Sequence, residues 1–288
     1  KGLGGSSSIN ATVAIRGHAW DYDHWASLGC TGWSYQEVLP YFKKSEHYEA
    51  GSTGFDATYH GQGGPLQVAE HRTRNPLCEA FVKAGVAAGY PLNTDFNGAQ
   101  QTGVGHYRVY QQNGQRCSNA RAYLRAAEGR PNLTIITHAH ATRVLLEGKT
   151  ATGVEYSRHG KTTCVQATRE VILSAGAFQS PQLLMLSGIG AADELAQHGI
   201  TLQHDLAGVG KNLQDHVEVI VEYDNPSRQG ISFHYTWLWS ALKGLWQYVW
   251  HKRGVLTSNI AESGGFIHSG VAGAAPAHVP DLQLHIFP

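Results

Sequence analysis

The chain has 288 residues, with 22 Lys+Arg balanced by 22 Asp+Glu. That balance leaves no net field to attract nucleic acid, and 34 glycines with 10 prolines exclude a coiled coil or a disordered tail. The length suits one large or two ordinary domains, at roughly 100–200 residues each, with a sizeable core.

The chain opens on its most demanding stretch, residues 1–17 (KGLGGSSSINATVAIRG). Gly4 and Gly5 can take positive φ and leave the main chain open to close approach. Ser6, Ser7 and Ser8 follow, and successive N–H groups in such a turn form a concave anion site. A helix from Ile9 onward would add partial positive charge. The competing reading is a flexible Gly/Ser loop. Residues 18–50 are aromatic and polar. Ser34 caps a helix at YQEVLPYFKKSE, with Glu37 completing a capping box, and Pro40 should kink or divide it. Residues 51–64 read as loop and 65–68 as a short strand. Asn75 then caps a helix with Pro76 first, Leu77, Phe81, Val82 and Val86 on one face, and Gly89 as its stop. Residues 91–105 read as loop, Tyr107–Tyr110 as strand, and Asn113-Gly114 as a turn.

Ser118 caps a second helix that ends near Gly129. A β-rich block follows, with candidate strands at 133–137, 141–146, 151–156, 162–167 and 170–174. Gly148 and Gly160 lie between the middle three, as in an antiparallel meander. The last, EVILSA, is apolar enough to be buried on both faces. Ser180 and Pro181 then start a helix that stops at Gly188, and ADELAQH forms another that stops at Gly199. A strand running into a glycine turn and a helix is a common ligand-binding geometry, though it is equally an ordinary junction. Residues 236–253 (TWLWSALKGLWQYVWHKR) form a helix with Leu238, Leu242, Leu245 and Val249 in one stripe and Trp239, Trp246 and Trp250 beside it. An interfacial membrane helix is one reading. Burial in the protein is preferred, because the charges gather at the helix end rather than along a polar face. Residues from Val255 and 282–287 are strand-like.

Cys30, Cys78, Cys117 and Cys164 form no C-x-x-C pair, which argues against a zinc ribbon or redox dithiol and favours the cytoplasm. His138 and His140 would share a strand face, but no third ligand is visible, so no metal is assigned. No signal peptide or run of about 20 apolar residues is present. Without an initiator Met, and ending just after a strand-like run, the chain reads as a fragment cut at both ends.

KGLGGSSSINATVAIRGHAWDYDHWA resembles the first signature of the glucose–methanol–choline (GMC) flavoprotein oxidoreductases, and GAFQSPQLLMLSGIG resembles the second. Arg116-Cys117-Ser118, Ala122-Tyr123-Leu124, Asn132-Leu133-Thr134 and Gly208–His216 also look like the family. The resemblance implies a mixed α/β and α+β fold. A partial Rossmann-like FAD-binding domain with a β-meander would accompany part of an antiparallel-sheet substrate domain. Residues 1–64 would be the flavin-contacting loop and lid. Residues 65–115 and 203–288 would belong to the substrate domain, and 116–202 to the FAD domain. Gly2 would lie by the diphosphate and ribose, and Gly4, Gly5 and Ser6 would also contact the cofactor. Asn10, Ala11, Thr12 and Val13 would run along the flavin, and Ala141 would meet the adenine through its main chain. With no His beside Gly2 and Leu3, FAD would be non-covalent. The implied activity is oxidation of choline or an aliphatic or aromatic alcohol, with oxygen, a quinone or a dye as electron acceptor. The family's dinucleotide fingerprint and late catalytic His block are not found here, so no catalytic residue is assigned and the fragment alone should be inactive. A serine hydrolase is argued against, since no G-x-S-x-G occurs. A non-catalytic membrane- or partner-binding module is the alternative.

Overall fold

The computed structural model describes residues 2–49, 51–52, 54–226, 230, 237–273 and 275–288, with the backbone alone at 237–241. Lys1 of the opening motif, and the Leu238 and Trp239 side chains expected on the helix stripe, lie outside the described residues. The chain forms two compact units: Lys1–Arg130 with Tyr223–Pro288, and Pro131–Glu222.

In the first unit, α1 (Ala19–Ser27) starts at a capping box between His18 and Asp21, which the sequence reading missed. α2 (Tyr35–Ser45) has the expected Ser34–Glu37 box. Pro40 lies inside α2 without dividing it. β1 (Glu46–Tyr48) pairs in parallel with β2 (Leu66–Ala69). Two glycines of the loop between them are required by packing. A Cβ on Gly61 would lie 1.9 Å from the Lys43 carbonyl oxygen, and one on Gly64 would lie 2.4 Å from Ser45 C.

α3 (Pro76–Ala87) is capped by Asn75, whose Oδ1 accepts from the Leu77 N–H, and Gly89 follows with φ 97°. The expected loop at 91–105 is corrected in part, because β3 (Gly103–His106) begins within it. β4 (Val109–Gln112) starts two residues later than the sequence suggests and turns through Asn113 (φ 52°) and Gly114 (φ 68°) into β5 (Gln115–Arg116). Positive φ at both turn residues matches the right-handed twist of the flanking strands. The helix after Ser118 starts as a π-turn, Ala120–Leu124, before α4 (Arg125–Ala127). The Ser118 Oγ does accept from the Arg121 N–H, at 3.3 Å.

The second unit contains the expected meander: β6 (His140–Glu147), β7 (Thr150–Arg158) and β8 (Lys161–Gln166), all antiparallel. The flanking runs 133–137 and 170–174 are not strands, and Ile172 is 75% exposed instead of buried on both faces. Their apolar content fits a sheet centre, but no described segment pairs with them. His138 takes φ 57° ahead of β6, so it shares no strand face with His140. α5 (Gln179–Leu186) begins ahead of the expected cap: Phe178 is its N-cap, and Ser180 Oγ instead accepts from the Ala175 N–H at 2.9 Å. β9 (Ile189–Gly190), α6 (Ala192–Gln197) and β10 (His204–Asp205) complete this unit, with Leu183, Leu195 and Val144 buried.

The chain returns to the first unit with α7 (Trp237–His251), a 3-10 turn at Val255–Thr257, β11 (Ser263–Ile267) and β12 (Leu282–Ile286). β11 pairs antiparallel with both β12 and β3. The buried reading of the Trp-rich helix is corrected. Leu242, Leu245, Trp246, Val249 and Trp250 are all exposed.

Candidate functional site

The opening glycine–serine motif folds as a tight turn. Gly4 takes φ 90° and Gly5 φ 58°, and Gly5–Ser8 form one 3-10 turn. The helix expected from Ile9 is absent. Ile9 closes the turn, and Val13 forms an antiparallel bridge to Val109. The reason lies in residues 12–16 (TVAIR), which alternate like a strand. Val13 and Ile15 pack against Phe96, Tyr107 and Phe266, while Ala14 packs with Tyr48 and Val68. Two cores therefore grip opposite faces of one short segment.

The predicted contact residues divide by exposure. Gly2, Gly5, Ser6, Asn10 and Ala11 are exposed, whereas Gly4 and Val13 are half-buried and Thr12 is buried. A Cβ on Gly2 or Gly5 would meet nothing within 4 Å, so both main-chain positions lie open. Gly4 is glycine for packing, since a Cβ there would lie 3.1 Å from Ala120 N and 2.6 Å from Ser8 Oγ. Ala141 lies in the second unit, on β6 opposite Tyr156 and beside a register irregularity.

Side chains distant in sequence fix the exposed segment. Arg116 donates to the Ser7 carbonyl (3.1 Å), the Asn10 carbonyl (2.6 Å) and Asn10 Oδ1 (2.9 Å). Asn10 Oδ1 also accepts from the Thr12 N–H at 3.1 Å, and Ser7 Oγ accepts from the Asn119 N–H at 2.9 Å. Asn259 donates to the Ala11 carbonyl at 2.6 Å. Tyr110 donates its N–H to the Thr12 carbonyl, and Asn97 holds both the Ala14 carbonyl and the Arg16 N–H at 2.8 Å. Thr12 has φ 58°, a left-handed conformation costly for a β-branched residue. Its Oγ1 is buried without a hydrogen-bond partner among the described residues. Such a strained residue with an orphaned polar atom, beside an open glycine backbone, fits a surface built to receive a polar ligand.

Sequence reasoning missed Asn97 and Asn259, because nothing local marks an Asn that reaches 83 or 248 residues along the chain. It also missed the buried ionic hub beneath the motif. Arg16 pairs with Glu46 at 2.9 Å, and His60 bridges Glu46 (3.1 Å) and Asp95 (2.8 Å). Burial opposes charge on His60, but hydrogen bonds to Asp95 and Glu46 prevail and raise its pKa above the ordinary value.

Two clefts lie in the first unit. One, of about 180 Å³, is lined by Arg16, His18, Tyr35, Tyr59, Phe96 and Asn97. The other, of about 330 Å³, is lined by Glu70, His71, Arg74, Glu79, His106 and Arg108. Burial first, then His106, Arg74 and Arg108, push the His71 pKa down to about 4. Both its ring nitrogens are buried without partners among the described residues. Since the unfolded chain protonates near pH 6.5, it binds more protons than the folded chain below that value. His71 should therefore weaken folding progressively from about pH 6.5 to 4, by about 3 kcal/mol in all. Denaturant titrations across that range should show His71→Phe flattening the slope; an unchanged slope would exclude His71 as its source.

The GMC oxidoreductase family model matches residues 1–218. The chain is 48% identical over 291 residues to an alcohol dehydrogenase [acceptor] of Pseudomonas putida, covering all of this chain and 51% of that protein. It is 43% identical over 288 residues to an oxygen-dependent choline dehydrogenase of Sinorhizobium medicae, again covering all of this chain and 51% of that one. The chain thus spans about half the length of the curated relatives it matches. Among solved structures, an FAD-dependent oxidoreductase from Chaetomium thermophilum superposes with a TM-score of 0.81 at 30% identity, covering 91% of this chain and 48% of that one. An Aspergillus oryzae formate oxidase variant gives 0.80 at 27% identity, covering 99% and 53%. With these matches beside the clamped glycine–serine turn, the chain belongs to the GMC oxidoreductase family, whose matched structures are FAD-dependent flavoproteins.

Proposed function

We propose that the intact protein oxidises an alcohol, an aliphatic alcohol in preference to choline, using FAD held non-covalently against residues 2–13. The observation that carries this reading is the exposure of Gly2, Gly5, Ser6, Asn10 and Ala11 on a segment held in shape by Arg116 and Asn259. Preference over choline rests on the higher identity to the alcohol dehydrogenase than to the choline dehydrogenase, and the choice of an aliphatic alcohol on the family resemblance of the signatures.

Bound FAD supplies the hydride acceptor for the carbinol carbon. The chain's own residues would position it. Gly2, Gly4, Gly5 and Ser6 would bring main-chain groups to the diphosphate and ribose. Asn10, Ala11, Thr12 and Val13 would line the flavin edge, and Ala141 would receive the adenine through its backbone. Thr12 Oγ1 would find in the ligand the partner it lacks among the described residues. The electron acceptor would be oxygen, a quinone or a dye.

The product of the intact reading frame should purify yellow. An aliphatic alcohol should bleach the flavin absorbance faster than choline does at equal concentration. A colourless folded protein refutes the flavin reading. A yellow protein bleached by choline alone refutes the substrate preference and leaves the flavin reading standing.

A further inference from the structure

Asn259 lies beyond residues 1–218, the span matched to the family, yet it reaches the strip directly. Its Nδ2 donates to the Ala11 carbonyl at 2.6 Å. Only the amide nitrogen can face a carbonyl oxygen, so this bond fixes which way round the amide sits. The other arm of the amide, Oδ1, is buried without a hydrogen-bond partner among the described residues. An unpaired buried acceptor is costly, and native folds keep few of them.

The backbone on both sides of that bond is strained. Among the described non-glycine residues with positive φ, two are β-branched: Thr12 at 58° and Ile260 at 73°. One follows Ala11 and the other follows Asn259, the two partners of the bond. Such strain persists only where surrounding groups enforce it. Ser258 Oγ accepts from the Ile260 N–H at 3.0 Å and donates to Glu262 Oε1 at 2.6 Å. Glu262 is 1% exposed, and its Oε2 accepts from the Asn75 N–H at 2.7 Å. A costly turn is thus held so that one amide meets Ala11 with its nitrogen and leaves its oxygen unpaired.

The oxygen selects its partner. An amide oxygen only accepts, so whatever meets it must carry an N–H or O–H. Ala11 stands among the residues proposed to line the flavin ring. In the oxidised ring a single N–H, at N3, is available to donate. We propose that Asn259 contacts the cofactor directly, its Oδ1 accepting from the flavin N3–H while its Nδ2 holds Ala11. This inference rests on the flavin reading above and adds to it a residue from the far end of the chain.

The intact protein, stripped of flavin and reconstituted with FAD carrying nitrogen-15 at N3, tests it by NMR. The N3–H proton of the parent should lie downfield and exchange slowly with water. In Asn259→Leu it should move upfield and exchange about tenfold faster or more, and FAD affinity by fluorescence titration should fall about tenfold, the worth of one net hydrogen bond. Asn259→Asp keeps an acceptor of the same size but loses the bond to Ala11. Its N3–H should stay downfield even though its affinity falls, and it decides the matter if the leucine variant folds poorly. An N3–H unmoved by Asn259→Leu overturns the proposal. So does one that Asn259→Asp also moves upfield, because the effect then comes through Ala11 and Asn259 is a clamp only. Either result leaves the flavin reading standing, whereas intact protein that takes up no FAD removes both.

Discussion

Replacing Glu46 with Gln should destabilise the protein by about 3–5 kcal/mol, the usual cost of removing one member of a buried ionic group. Glu46 is 5% exposed and stands at the centre of the hub. Its carboxylate accepts from Arg16 (2.9 Å), His60 (3.1 Å) and the Gly61 N–H (3.0 Å). An amide of the same size keeps the volume but loses the charge. The Arg16 guanidinium, and His60 where it carries a second proton, then share a buried site with Asp95 alone to neutralise them. Arg16 would keep its bond to the Tyr59 carbonyl and its position over the Phe42 ring, 5.2 Å from the centroid, so loss should be large without being total. Urea denaturation followed by circular dichroism measures it, and a loss below about 1 kcal/mol contradicts the hub's role.

The pH dependence provides a second check. The folded His60 pKa is raised, so the stability it contributes is fully present below the unfolded value near 6.5 and is lost as pH rises through the folded value. His71 acts in the opposite direction and at lower pH, weakening folding as pH falls below 6.5. The parent should therefore show a shoulder of falling stability above pH 6.5, and Glu46→Gln should reduce it, with the Asp95 contribution remaining. The His71 slope on the acid side should persist, because that residue lies in a separate cleft.

What was legible in the sequence follows the range of the interaction involved. Helix starts at Ser34 and Asn75, the Asn113-Gly114 turn, the stops at Gly89 and Gly188, and the β6–β8 meander depend on residues within a few positions of each other. These signals are strong because capping, turn φ values and strand alternation are local. The misses are tertiary. A run as apolar as residues 170–174 becomes a strand only when neighbours pair with it. The reading of Ile9 as helical gave weight to the serine turn and overlooked the alternation in residues 12–16, which two separate cores reward. The outward face of α7 was invisible because an apolar stripe does not say which side the protein is on; buried Gly244 says so. At the candidate site, the first signature marked the strip proposed to hold FAD, while its supports at Asn97, Asn259 and Glu46 carry no local pattern.

The support nearest the strip yields the second large effect. Arg116→Met in the intact protein should weaken FAD binding about tenfold to a hundredfold, or about 1.4–2.8 kcal/mol. One guanidinium nitrogen of Arg116 ties together Ser7 and Asn10, and Asn10 in turn holds Thr12 at positive φ. Methionine fills similar space but donates nothing, so the exposed backbone between Ser7 and Thr12 loses its fixed shape before any ligand arrives. The ligand must then order it, and affinity falls by that ordering cost. Arg116→Lys should fall between the two, since an ammonium carries charge but cannot reproduce the planar fork. Global stability should change by less than about 1.5 kcal/mol, because these bonds lie at a partly exposed edge. Titration of apoprotein with FAD, followed by flavin fluorescence, separates the two effects. Parent-like affinity in Arg116→Met would mean the strip holds its shape without Arg116, whereas equal losses of affinity and fold stability would make Arg116 a structural residue only.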